Sequence, residues 1–164
     1  MSRQTWSDLE SVLRMLVDEH RKLLLQLDAQ QSAMKSFDLH QMDDAVRVQQ
    51  ATRLRILSFE TRRRGLVLQL ARANKLTGEP TITELTEAFP ESAGALIPLR
   101  DALREVVMHI SHRSKVSGKL AGSVLGHLNT VVRLIAGAAE QAGVYTKQGV
   151  PQVAGRIGVL EAVA

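Results

Sequence analysis

Leu9, Leu13, Leu16, Leu23, Leu27 and Met34 recur in alternating steps of four and three, with His20 and Gln30 filling the two gaps. An apolar residue at that spacing keeps one stripe of a helix turned toward a neighbour. The seam therefore commits the chain to long helices packed side by side. A second seam runs Leu39, Met42, Val46, Gln49, Arg53, Ile56, Glu60, Arg63, Val67, Leu70 and Ala73. A third runs Leu99, Leu103, Val106, Ile110, Ser114, Ser117, Ala121, Val124, Leu128, Val131, Ile135 and Ala138. That third helix would cover about 60 Å at about 1.5 Å per residue.

The breaks between the seams fix the topology. Ser36, Phe37 and Asp38 supply a turn and a new cap, since Asp38 followed by Gln41 resembles a capping box. So short a connection forces the first two helices into an antiparallel hairpin. With the turn centred near Phe37, Glu60 falls opposite Arg14, Glu19 opposite Arg55 or Arg53, and Glu10 near Arg63 or Arg64. At least one of these is expected as a cross-hairpin ion pair. Gly78 and Pro80 end the second helix. "TITELTEAF" (81–89) reads as a short helix, with Thr81 and Glu84 as a further capping box, and "PESAG" follows as a linker. Pro98 lies in an early turn of the third helix. After Ala142 the pattern changes, with Gly143, Gly149, Gly155, Gly158 and Pro151 close together. The expected fold is all-α: an elongated antiparallel bundle of three long helices over residues 1–142, with a short connecting helix and a flexible C-terminal tail over 143–164.

Composition agrees with helix packing. Hydrophobic residues make up 45% of the 164, yet only 3% are aromatic, so Leu, Val, Ala and Met must fill the core. The absence of cysteine removes disulfides, thiolate metal sites and a Cys nucleophile. A formal charge of +4 permits acidic partners without requiring them. "MSRQTWSDLE" has no signal-peptide character, and no uninterrupted run approaches ~18 apolar residues. The expectation is a cytoplasmic protein with no membrane span.

Candidate chemistry is sparse. Glu105, His109 and His112 share one helical face, as a metal site would need, but no second ligand cluster accompanies them. No glutamate has a histidine three residues on, which removes the di-iron bundle enzymes. The arginines of "TRRRG" (61–65) point about 100° apart on a helix and have no aromatic neighbours to stack bases, so a nucleic-acid site is not expected. No phosphate-binding glycine loop or nucleophile elbow is present. These readings lead to no enzyme activity, no cofactor and no metal. Gly118, Gly122 and Gly126, with Ser114 before them, form a ridge of small residues. It is read either as close packing inside the bundle or as a groove for a partner helix.

The order of motifs resembles the FlgN family of flagellar type III export chaperones. "LVDEHRKLLLQL" (16–27) resembles its first helix, "KSFDLHQM" (35–42) its hairpin turn and "LRILSFETRRRGL" (54–66) its Leu-Glu-x-x-Arg segment. "TITELTEAFP" (81–90) resembles its short helix, "HISHRSKVSGKLAGSVLGHL" (109–128) its long third helix and "VYTKQG" (144–149) its tail. Ser114 and Ser117 stand where the family usually has an Asn pair, and Thr146 where it commonly has glycine. The resemblance implies a cytoplasmic non-enzyme that holds the C-terminal helical region of flagellar hook-associated proteins. It would keep them from assembling early and deliver them to the export gate. The implied substrate contacts are Gly118, Gly122, Val131, Ile135, Val144, Val153, Ile157 and Leu160. Tyr145 is the implied contact to the export-gate protein. The alternative is a generic helical coiled-coil adaptor, with homodimerisation through the glycine ridge.

Overall fold

The computed structural model describes residues 2–76 and 78–143. They form helices α1 (Ser2–Ser36), α2 (Leu39–Ala73), α3 (Ile82–Ala88), α4 (Pro90–Ala93) and α5 (Leu96–Gly143). No strand occurs among the described residues. The all-α expectation holds, as do the three long helices. Two compact units are present, Met1–Ala121 and Gly122–Ala164, and α5 runs through the division.

In the first unit α1 and α2 form a hairpin joined by two residues. Phe37 takes φ 54°, in the left-handed region. Its N–H donates to the Met34 carbonyl (3.2 Å) and the Asp38 N–H to the Ala33 carbonyl (3.0 Å), the double bond of a Schellman end. Asp38 then caps α2, its Oδ1 accepting from the Gln41 N–H at 3.0 Å. The far end of α2 repeats the device with Lys75 at φ 57°. There the Lys75 N–H donates to Arg72 and the Leu76 N–H to Ala71. Neither end uses glycine for the left-handed residue, although glycine adopts it without a Cβ penalty. At α3 the expected box is complete: Glu84 N–H donates to Thr81 Oγ1, and Thr81 N–H to the Glu84 carboxylate. These bonds hold the exposed Glu84 carboxyl below its usual pKa. Phe89 ends α3 and Pro90 opens α4, where its missing N–H costs nothing.

The apolar core lies at the open end of the hairpin. Trp6, Leu9, Val12, Leu13 and Leu16 of α1 pack with Leu66, Val67 and Leu70 of α2, Leu85 of α3, Ala93 of α4 and Leu96 of α5. Trp6 meets Phe89 with ring centroids 5.9 Å apart and tilted planes. Each fully buried leucine here contributes roughly 1.5–3 kcal/mol relative to exposure.

Toward the turn the helix contacts become polar. Arg55 Nε donates to Glu19 Oε2 at 2.9 Å, which is one of the expected cross-hairpin pairs. Gln26 donates to Thr52 Oγ1, and Gln49 to the Gln26 carbonyl and to Gln30 Oε1. Buried Gln31 bridges to α5 through the Arg113 carbonyl and Ser117 Oγ, both at 3.1 Å. Arg113 Nε also reaches Asp28 at 3.2 Å. These side-chain links join α1 to α5, whereas the close backbone approach belongs to α1 and α2.

Several seam positions need correction. Thr52, not Arg53, is buried, because the α2 residue facing α1 there must complete the Gln26 and Arg55 network. Leu39 and Val46 are exposed, since α2 near the turn is covered by α1 on one side only. Ser114 is exposed while Ser117 is buried. Arg14 bonds Glu10 and Arg63 bonds Glu60, each within its own helix, so the expected Glu60–Arg14 pair does not form. An i,i+3 or i,i+4 partner is already in reach before the hairpin closes, and it wins.

Candidate partner-binding surface

The second unit begins at Gly122, and its described part is the last stretch of α5. Leu125, Leu128, Val131, Val132, Leu134 and Ile135 are all exposed there, several by about two thirds. At about 100° per residue they occupy one half of the helix circumference. Ser123, Asn129, Thr130 and Arg133 occupy the other half. Such a contiguous apolar stripe is a signature of an interaction surface rather than ordinary surface scatter.

The same geometry divides the residues expected to work together. Val131 follows Gly122 by nine positions, about two and a half turns, so the two face apart. Ile135 and Gly126 are related in the same way. Val131 and Ile135 belong to the apolar stripe, and the glycines belong to the polar face. A Cβ built at Gly118, Gly122 or Gly126 meets nothing within 4 Å. Among the described residues no helix packs closely on this ridge, so the internal-packing reading of it does not hold. Val144, Tyr145, Val153, Ile157 and Leu160 lie outside the described residues.

Other candidates resolve simply. His109 Nε2 lies 3.9 Å from Glu105 with both side chains exposed. Among the described residues no group of three His, Cys, Asp or Glu could hold a metal ion. The arginines of "TRRRG" diverge: Arg63 turns inward to Glu60, while Arg62 and Arg64 are exposed. The buried Glu19 carboxyl has two cationic partners, Arg55 and Lys22 at 2.6 Å. Burial opposes its ionisation, but those bonds outweigh burial and hold its pKa below the usual carboxylate value.

The expectation of no membrane span meets one apolar helix but is not contradicted by it. It rested on an uninterrupted apolar run, whereas α5 between Leu96 and Ala138 is long and apolar enough by composition to cross a membrane. Arg133, Asn129 and Thr130 gather on one side of its distal part, which makes that part amphipathic. An arginine at the centre of a bilayer-spanning helix costs about 2.5–3.5 kcal/mol.

An exposed amphipathic stripe on a helical scaffold fits a protein-binding role, and the family comparison says which family the chain belongs to. The model of the family described as FlgN protein matches residues 1–152. The chain belongs to the FlgN family. FlgN proteins are cytoplasmic chaperones of flagellum assembly and export, not an enzyme family. The match extends past the described helices to include Tyr145. No curated protein and no solved structure matches the chain significantly.

Val131 and Ile135 share one face of α5 as their seam spacing requires, but they are exposed rather than packed, and the seam left out Leu125, Val132 and Leu134 beside them. The available signal was charge. From Val106 to Ala139 the chain has no acidic residue, and from Leu120 to Ala139 its only lysine or arginine is Arg133.

Proposed function

We propose that this FlgN protein holds the C-terminal helical region of flagellar hook-associated proteins, prevents their premature assembly and delivers them to the type III export apparatus. The observation that carries this reading is the exposed stripe of Leu128, Val131 and Ile135, flanked by Leu125, Val132 and Leu134. Subunits that polymerise through amphipathic terminal helices carry apolar stripes of their own while awaiting export. Laying one stripe on the other removes both from water, at about 25 cal/mol per Å² of apolar surface. Val144, Val153, Ile157 and Leu160 extend the substrate contact, and Tyr145 meets the export-gate protein.

Mass measurement of the full chain with and without a hook-associated protein's C-terminal segment tests the proposal. A one-to-one complex supports it. Failure to form one, with the chain instead self-associated, favours the adaptor reading, in which two copies pair through the glycine ridge.

A further inference from the structure

A second feature lies in the first unit. A cleft of about 310 Å³ opens between α2, α5 and the start of α3, over a floor from α1. Leu13, Ile82, Leu103 and Val107 supply its apolar walls, and Arg63, Arg100, Arg104 and Glu60 its charges. Three guanidinium groups therefore face one lining carboxylate.

The hydrogen bonds sharpen the imbalance. Arg63 donates through Nε to Glu60 at 2.9 Å. Arg100 donates to Asp101 at 2.9 Å and through Nη1 to Thr83 at 3.3 Å. Arg104 has no hydrogen bond or ion pair among the described residues. A guanidinium carries five N–H donors, so Arg63 retains unused donors and Arg104 retains all of its own. Arg63 and Arg100 are mostly buried, with about a fifth of each side chain exposed, whereas Arg104 is exposed. Spare donors beside a low-dielectric apolar wall interact with an anion more strongly than freely solvated arginines do.

We infer that this cleft binds an acidic segment of a partner protein, seating an aliphatic side chain on Ile82, Leu103 and Val107 while a neighbouring carboxylate meets Arg104 and Arg63. The fork geometry of a guanidinium matches a carboxylate, and the volume suits one or two side chains rather than a whole helix. The site shares no residue with the proposed client stripe, so the two can be tested apart.

The test is fluorescence polarisation with the full chain and two labelled peptides, one alternating leucine and glutamate, the other leucine and glutamine. The glutamate peptide should bind at least about tenfold more tightly, with affinity falling as salt rises. Arg104→Glu should remove that preference, and so should Val107→Glu, which places a carboxylate at the exposed mouth. Unchanged circular-dichroism melts would show both variants folded. Ile135→Asp, on the stripe, should leave peptide binding as it was, which separates this site from the proposed client site. Equal binding of the two peptides would overturn the inference. So would full binding by both variants, or displacement by inorganic phosphate as effective as by unlabelled peptide, which would mark a general anion site.

Discussion

Leu9, Leu13 and Leu16 on α1 and Leu125, Leu134 and Ile135 on α5 are similar residues at helical spacings, yet they have opposite fates. The first three are at most 1% exposed and the second three 64–69% exposed. On α1 the stripe meets α2, α3, α4 and the start of α5, which close an apolar core around it. On the last part of α5 the stripe has no comparable cover among the described residues. A heptad pattern specifies that a stripe wants a partner, but not whether that partner is in the same chain.

The largest expected effect tests the buried side. Leu16→Ala should cost about 2–5 kcal/mol, read as a lower urea midpoint, because the site is filled on every side. A smaller loss would mean the core is looser than its burial indicates. The exposed side should behave in reverse. Val131→Asp with Ile135→Asp should leave the urea midpoint within the equivalent of about 0.5 kcal/mol, as for surface changes generally. The same pair should weaken capture of a hook-associated segment by about tenfold or more in a binding titration. Normal capture by that variant would remove the stripe from the client site.

Gly122→Ala distinguishes the two faces of α5. With open space around the new Cβ, the change should stabilise the helix by up to ~1 kcal/mol and leave client binding unaltered. Weakened binding would return the glycine ridge to the client site. The smallest effect concerns Glu19. Its folded pKa is depressed, so its contribution is full above the unfolded carboxylate value, about 4.3, and is lost as pH falls through the lower folded value. Glu19→Gln should flatten that acid limb of the stability profile. At neutral pH the loss should stay near ~1 kcal/mol, because Arg55 is half exposed. An unchanged acid limb would assign it to other carboxylates.

What could be read beforehand was local. The hairpin turn at Phe37, the Thr81–Glu84 box and the Glu19–Arg55 pair each depend on residues whose relation is set by short spacing or by a tight turn. What could not be read depended on competition or on absent neighbours. Arg14 and Arg63 had partners one turn away, which no register argument weighs. The burial of Thr52 in place of Arg53 follows from a network assembled by Gln26 and Arg55, not from hydropathy. Val131 and Ile135 were legible as seam residues, yet their exposure reflects the limit of what packs on α5. That the glycines face away from Val131 and Ile135 follows from the nine-residue offset, which a list of small and apolar positions does not display.

The two-residue connection at Phe37 and Asp38 has a kinetic consequence. Loop-closure entropy there is small, and the pairs it brings together form at low contact order, so the α1–α2 hairpin should fold rapidly. The link from Gln31 to Ser117 must instead close a loop of more than eighty residues. A nascent chain can thus secure its first two helices while α5 is still being synthesised, and the exposed stripe on α5 follows them.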